Sequence, residues 1–268
     1  VNLELQDRVA VVFGGARGIG RAIAEGFAAE GARVVVCDIA PETADLEARS
    51  QAAGGPPLTG RVVDATKLPN VESASRSIVE SHGRCDAVIY AAGIGSGQFG
   101  FPFWNVDPSR WPRVFEVNVY GAVHVAHAFR ESLTASQGSL LFLSSVAGQI
   151  GSQTDPPYSA AKAAVLNFMQ CAARDFAPFG VRVNAICPGM VKTDLNRSVF
   201  EAWASRQSTD VTVPSYEAWA EEKIRRVVPL GRWQTAEDIA AAALFLSSPR
   251  AANVTGQQFN VDGGFVMR

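Results

Sequence analysis

The chain has 268 residues, 47% of them hydrophobic, and its 24 basic side chains against 26 acidic ones leave a formal net charge of −2. That length and apolar content suit one large α/β domain with a substantial buried core. No block of like charge favours nucleic acid or an anionic membrane, no apolar run reaches the roughly eighteen residues of a membrane span, and no charged leader precedes an apolar stretch, so the expectation is a soluble, cytoplasmic protein.

Short β-branched runs alternate with longer helical patterns as far as about residue 190, which implies right-handed βαβ units over a parallel sheet. Arg8 to Phe13 reads as the first strand, and its unbroken apolar character buries both faces. The run Phe13-Gly14-Gly15-Ala16-Arg17-Gly18-Ile19-Gly20 follows it and opens a helix expected from Ile19 to about Ala29, ended by Gly31. Glycines in that setting let the backbone approach a pyrophosphate at the positive end of a helix: Gly14 makes the turn, Gly18 permits contact and Gly20 allows close packing.

Arg33 to Asp38 is the second strand, and Asp38 closes it eighteen positions after Gly20. A carboxylate there accepts hydrogen bonds from the adenosine ribose hydroxyls and repels a 2′-phosphate, so NAD is the expected cofactor; the guanidinium of Arg17 pulls towards NADP. Residues 40 to 57 carry a helix broken by Gly54-Gly55-Pro56-Pro57, a loop and not a domain boundary. Leu58 to Val63 is the third strand. Asp64 at its end can accept from the adenine amino group, with the backbone of Ala65 beside it, or can cap a helix beginning near Leu68.

Ala87 to Ala91, Ser139 to Ser144, Arg182 to Cys187 and Gln257 to Val261 complete a Rossmann-type doubly wound sheet of about seven strands in a single domain spanning residues 1–268. Within it, residues 188–229 follow a strand's carboxyl end and carry Trp203, Tyr216 and Trp219 among charges and hydroxyls. An α/β enzyme places a substrate lid there; an ordinary helical insertion is the alternative.

Tyr158 and Lys162 stand one helical turn apart, just after the helix-starting pair Pro156-Pro157 and behind Ser145. Positions i and i+4 share a helix face, so the ammonium can approach the phenol oxygen. A unit charge at about 4 Å in an effective dielectric of roughly 20 is worth about 4 kcal/mol, enough to take a phenol from about 10 to about 7 and make it a base at neutral pH. The four cysteines, Cys37, Cys85, Cys171 and Cys187, lie in or beside apolar runs, where reduced and buried thiols occur. His124 and His127 share a helix face without a carboxylate or cysteine cluster, so they read as packing or interface residues and no metal is expected.

Together these pieces resemble the short-chain dehydrogenase/reductase family over essentially the whole chain. The matching residues are Gly14-xxx-Gly18-x-Gly20, Asp38, Asp64, Asn118 within Val117-Asn118-Val119-Tyr120-Gly121, Ser145, Tyr158-xxx-Lys162, Pro188-Gly189 and the ending from Thr255 to Gly264. The resemblance implies that Tyr158 is the acid/base, that Ser145 hydrogen-bonds the same substrate oxygen, and that Lys162 lowers the phenol pKa and binds the nicotinamide ribose. It further implies that Asn118, midway along a long central helix, holds a water joining Lys162 to solvent. After Pro188, the backbone of Val191 and the hydroxyl of Thr193 would bind the carboxamide, unless Thr193 only caps a helix. Members are commonly tetramers, so a homotetramer is expected.

Two departures stand out. Phe13 replaces the family's usual threonine, and Tyr90-Ala91-Ala92-Gly93 replaces Asn-Asn-Ala-Gly, which predicts apolar repacking across the central sheet. Gly93 remains, and its backbone can approach the adenosine side of the cofactor.

The expected pocket walls are Gly95 to Trp104, made aromatic by Phe99, Phe101, Phe103 and Trp104; Val146 to Thr154, made polar by Gln149, Ser152 and Gln153 with Asp155; and the lid. Aromatic faces beside amides and hydroxyls suit a sugar or cyclic polyol, and Arg197 suits a sugar acid. The leading expectation is an NAD-dependent secondary alcohol dehydrogenase acting on such substrates, with Ser145, Gln149 and Tyr158 touching them. A carbonyl reductase for a ketoacyl, steroid-like or other apolar ketone is the alternative among enzymes. A dinucleotide-binding regulator without chemistry is the alternative of another class.

Overall fold

The computed structural model describes residues 1–52, 54–55, 57–151, 154–208 and 212–267. Over them run β1 (Val9–Phe13), α1 (Gly18–Ala29), β2 (Arg33–Asp38), α2 (Leu46–Ala52), β3 (Thr59–Val62), α3 (Leu68–His82), β4 (Ala87–Tyr90), α4 (Trp111–Phe115), α5 (Gly121–Ala128), α6 (Arg130–Ser136), β5 (Ser139–Leu143), α7 (Pro156–Phe176), β6 (Arg182–Pro188), α8 (Asp194–Ala204), α9 (Tyr216–Val227), α10 (Ala236–Ser247) and β7 (Gln258–Val261). The strands form one sheet in the order β3-β2-β1-β4-β5-β6-β7, and every pairing is parallel. Strand order reverses between β1 and β4, which opens a crevice at their carboxyl ends.

Successive side chains of a strand face opposite ways, and this alternation splits the core into two layers. Val9, Val11, Phe13 and Val35 pack against α3, α5 and α7. Ala10, Val12, Val34 and Val36 pack against α1 and α10. Full burial of each such valine stabilises the fold by about 1.5–3 kcal/mol, so both layers hold β1 at the centre and fix where its carboxyl end points.

The repacking predicted around Phe13 is present. Its ring meets Phe129 edge-on at 5.7 Å and Tyr90 at 6.4 Å between centroids. The Tyr90 hydroxyl donates to the carbonyl of Val117 at 2.5 Å, so the tyrosine brings a polar bond that the sequence did not reveal. That carbonyl belongs to a π turn, Glu116–Tyr120, between α4 and α5, where the Gly121 amide reaches back to Glu116. Strand ends fall within a residue or so of expectation, as fraying ends do: Arg8, Ala91, Ser144 and Gln257 lie just outside the strands. Cys171 corrects the view that all four thiols are buried, because it faces solvent from α7; Cys37, Cys85 and Cys187 are buried. Pro56, part of the predicted break, lies outside the described residues.

Residues 188–229 hold α8 and α9, which build an aromatic cluster of their own from Phe200, Trp203, Tyr216 and Trp219, with Trp233 alongside. Lys223 on α9 places its ammonium 4.2 Å from the centre of the Trp219 ring. Burial lowers its pKa from the ordinary 10.5 to about 8. Because the folded value lies below the unfolded one, the unfolded chain holds the extra proton between these values, and the contribution of this group to stability rises with pH across that window. Lys223→Met is expected to raise the melting temperature at neutral pH and to flatten the rise between about pH 8 and about pH 10 relative to wild type. Thermal melts across that range check this, and parallel curves for the two proteins would contradict it.

Candidate active site

A cleft of about 560 Å³ opens at the β1/β4 switch point. Gly14, Arg17, Gly18, Ile19, Gly20, Asp38, Asp64, Ala65, Gly93 and Thr193 all line it. The Asp38 carboxylate is held there by two backbone amides, Ala16 at 3.1 Å and Ala40 at 3.1 Å, and reaches the glycine-rich loop from the end of β2. Arg17 is exposed and lies 3.8 Å from the Asp194 carboxylate at the start of α8, so a segment-to-loop ion pair crosses the cleft mouth.

Asp64 accepts from the Thr66 amide at 2.9 Å and the Thr66 hydroxyl at 2.7 Å. Burial works to raise its pKa, but these bonds and the charges of Lys67 and Arg113 outweigh it and hold the carboxyl below its ordinary range. It forms a turn ahead of α3, whose cap position belongs to Lys67. Thr193 lines the cleft, and its hydroxyl caps α8, accepting from the Asn196 amide at 3.3 Å. Pro188 and Val191 lie deeper, buried at the end of β6 and just beyond, with Val191 bridged to Gln234.

Behind the cleft the four predicted catalytic residues come together. Tyr158 and Lys162 share one face of α7, with the Lys162 ammonium 5.4 Å from the Tyr158 ring centre. Lys162 is 3% exposed and donates to the Leu143 carbonyl at 2.8 Å, which ties α7 to the end of β5. Ser145 starts the turn after β5; its hydroxyl accepts from the Ala147 amide at 3.1 Å and faces the Tyr158 phenol. Ser159 pins that turn to α7 by donating to Ala147 and Ile150. Asn118, wholly buried in the π turn, donates to the carbonyls of Ile94 at 2.8 Å and Val114 at 2.9 Å, while its own oxygen has no partner among the described residues. A side-chain carbon added at Gly93 would lie 2.8 Å from that oxygen and 3.1 Å from the Lys162 ammonium, so this one glycine separates both groups from the cleft.

The electrostatics correct one expectation. Burial pushes the Tyr158 phenol above its ordinary value; the Ser145 hydroxyl opposes this, and the charges of Asp155 and Cys187 add to it. Burial likewise lowers Lys162 to about 8. Desolvation of both partners therefore exceeds the attraction expected to bring the phenol near neutrality, and the lysine's strongest bond goes to a backbone carbonyl.

The substrate walls also differ from expectation. From the aromatic segment the cleft takes Gly95, Gly97 and Gln98, whereas Phe101, Phe103 and Trp104 stand exposed. Short turns at Phe103–Asn105 and Pro108–Arg110, with Asn105 donating to the Phe101 carbonyl, set those rings outward. Gln149 exchanges amide hydrogen bonds with Asn260 at 2.8 and 2.9 Å and stands outside the cleft wall. Arg197 lies over the Tyr216 ring at 4.4 Å and within 3.9 Å of Glu217, engaged inside its own segment. Ser152 and Gln153 lie outside the described residues. Apolar cleft residues that sequence reasoning missed are Leu195, Val199 and Ala202 on α8. Their helical spacing was the available signal.

Comparison with known proteins agrees with this geometry. Residues 14–266 match the family described as enoyl-(acyl carrier protein) reductase. The chain is 34% identical over 263 residues to 2-(S)-hydroxypropyl-CoM dehydrogenase 3 of Xanthobacter autotrophicus, covering 97% of each chain. The chain belongs to the short-chain dehydrogenase/reductase family. It is also 30% identical over 268 residues to the NAD-dependent glycerol dehydrogenase of Listeria innocua, covering 100% of this chain and 97% of that one. The ligand-free aldohexose dehydrogenase of Thermoplasma acidophilum superposes with a TM-score of 0.85 at 27% identity, over 100% of this chain and 97% of that one. As a member of this family the protein is an oxidoreductase that interconverts a carbinol and a carbonyl. Among the described residues no helix is long and apolar enough to cross a membrane.

Proposed function

We propose that the protein is an NAD-dependent dehydrogenase that oxidises a secondary alcohol of a sugar, polyol or sugar acid. The observation that carries this reading is the convergence of Asn118, Ser145, Tyr158 and Lys162 behind a cleft whose far end presents the Asp38 carboxylate. When bound, the nicotinamide supplies the hydride acceptor and, in its oxidised form, a positive ring charge. Tyr158 then takes the carbinol proton, Ser145 holds the same oxygen in place, and Lys162 binds the ribose hydroxyls beside Gly93. The free oxygen of Asn118 holds a water that links Lys162 to solvent.

Gly14, Gly18, Ile19 and Gly20 cradle the pyrophosphate, Asp64 and Ala65 take the adenine, and Val191 with Thr193 takes the carboxamide. Gln149 contacts substrate only if it gives up its bonds to Asn260. Residues 188–229 act as the lid, with Leu195 and Val199 over the cleft. The sugar and polyol assignment draws on the glycerol and aldohexose dehydrogenases among its relatives. The same reading makes it a cytoplasmic homotetramer, for which exposed Tyr120, Phe259 and Met267 supply apolar surface.

The test is a panel of polyols, aldoses and aldonates with NAD and NADP, set against thioester and apolar ketones with the reduced cofactors. Oxidation of the hydroxylated substrates with NAD is expected, and reduction of apolar ketones alone would favour the carbonyl-reductase reading. Asp38→Ser removes the charge that repels a 2′-phosphate, so it is expected to lower the preference for NAD over NADP about tenfold or more, equivalent to ~1.4 kcal/mol. An unchanged preference in kcat/KM would refute the role of Asp38.

A further inference from the structure

The start of α7 is built unusually for a helix terminus. Pro156 and Pro157 occupy its first two positions and have no amide hydrogen to offer, so the first donors available are the amides of Tyr158 and Ser159. Asp155 takes both. Its side chain accepts from the Tyr158 amide at 3.4 Å and its carbonyl from the Ser159 amide at 3.0 Å. The second carboxylate oxygen is turned to a different element and accepts from the Ser96 amide at 2.8 Å, in the loop that follows β4.

An N-cap aspartate is ordinarily solvated, whereas Asp155 is 6% exposed, lines the cleft, and has no cation paired with it among the described residues. Three segments meet at its tip. A side-chain carbon added at Gly95 would come within 2.6 Å of its carboxylate and 3.5 Å of Leu195 on α8. Only a glycine fits between the carboxylate and the segment that closes over the site.

We propose that Asp155 is a positioning residue for Tyr158, fastening the first turn of α7 to the loop after β4 through its buried carboxylate. This rests on the reading of Tyr158 as the acid/base. The groups that face the phenol are Ser145 from the turn after β5, Cys187 from β6, and Lys162 and Asp155 from α7 itself. Burial is the main influence keeping the phenol protonated, and the Asp155 charge adds to it. Asp155 therefore has two opposed effects: it orients the ring for proton transfer, and it delays the appearance of the basic form as pH rises.

Those opposed effects give a signature that helix capping alone does not produce. In Asp155→Asn one amide oxygen can still cap Tyr158, but an NH2 group replaces the oxygen that faces the Ser96 amide, and the charge is gone. Asp155→Ser keeps a good cap and removes both the charge and the bridge, so it remains folded if the carboxamide is not tolerated. In both variants the alkaline rise of kcat for alcohol oxidation is expected to begin about half a pH unit or more below that of wild type. The kcat for alcohol oxidation is expected to fall about tenfold in both variants.

A rise that begins at the same pH as in wild type in either folded variant would overturn the proposal. The pH at which the rise begins is independent of its height, so it separates this inference from the acid/base reading, which fails instead if Tyr158→Phe retains activity.

Discussion

Tyr158→Phe is expected to lower kcat for alcohol oxidation about a thousandfold while leaving NAD affinity nearly unchanged, because a positioned acid/base contributes about 10²–10⁴ and nothing else behind the cleft can replace it. The substitution keeps the ring, and with it the packing on α7 and the contact 5.4 Å from the Lys162 ammonium. It removes only the phenol oxygen that faces Ser145. Cys187 is a poor substitute, since burial raises its thiol to about 12.

The pH dependence carries the same prediction further. With the phenol held above its ordinary value, the basic form appears only as pH rises, so the rate of oxidation by wild type should climb through the alkaline range and the rate of reduction should fall. The residual activity of the variant should lack that slope. Steady-state kinetics in both directions, with NAD binding measured separately, check both statements. Turnover equal to wild type would remove Tyr158 from the chemistry and restore the non-catalytic reading.

Much of this site was legible in the sequence because its residues obey local rules. A strand, a glycine-rich turn and a helix start are contiguous, so the cofactor loop could be read from a single stretch, and Asp38 and Asp64 followed as the ends of the next two strands. The i, i+4 pair on α7 required only helical periodicity. What could not be read depends on where distant segments meet. Asn118 was named through the family motif, but the π turn that holds it follows no hydrophobic period and is stabilised partly by the Tyr90 hydroxyl from β4.

The outward turn of Phe101, Phe103 and Trp104 depends on short turns with no periodic signal, and the pairing of Gln149 with Asn260 spans more than a hundred residues. The phenol's raised pKa was missed for a related reason. Charge proximity can be inferred from spacing, but the loss of water around half-buried Tyr158 and buried Lys162 depends on how distant segments pack, and here it is the larger effect.

Gly20→Ala is expected to abolish measurable cofactor binding and to lower stability by about 1–3 kcal/mol, because a side chain at this position meets only backbone. The added carbon would lie 2.1 Å from the Gly14 carbonyl oxygen, 2.8 Å from the Gly14 carbonyl carbon and 3.0 Å from the Gly15 Cα. No flexible atom can yield, so either the first turn of α1 unwinds or the glycine-rich loop is pushed out of the cleft it lines. Both outcomes displace the amides that face the pyrophosphate.

Gly18→Ala provides the contrast. Its backbone is left-handed at φ +57, but an added carbon meets nothing within 4 Å, so the cost is the conformational strain of about 1–2 kcal/mol without a collision. The two variants should therefore lose similar stability and differ in the cofactor-free loop. In Gly20→Ala the displaced loop leaves Ala16 unable to reach Asp38, whereas in Gly18→Ala that 3.1 Å bond survives. Amide hydrogen exchange at Ala16, thermal melts and NAD titration of both proteins distinguish the cases. Intact NAD binding in Gly20→Ala would mean that the loop does not hold the dinucleotide at α1, and the cofactor site would have to be sought elsewhere along the sheet edge.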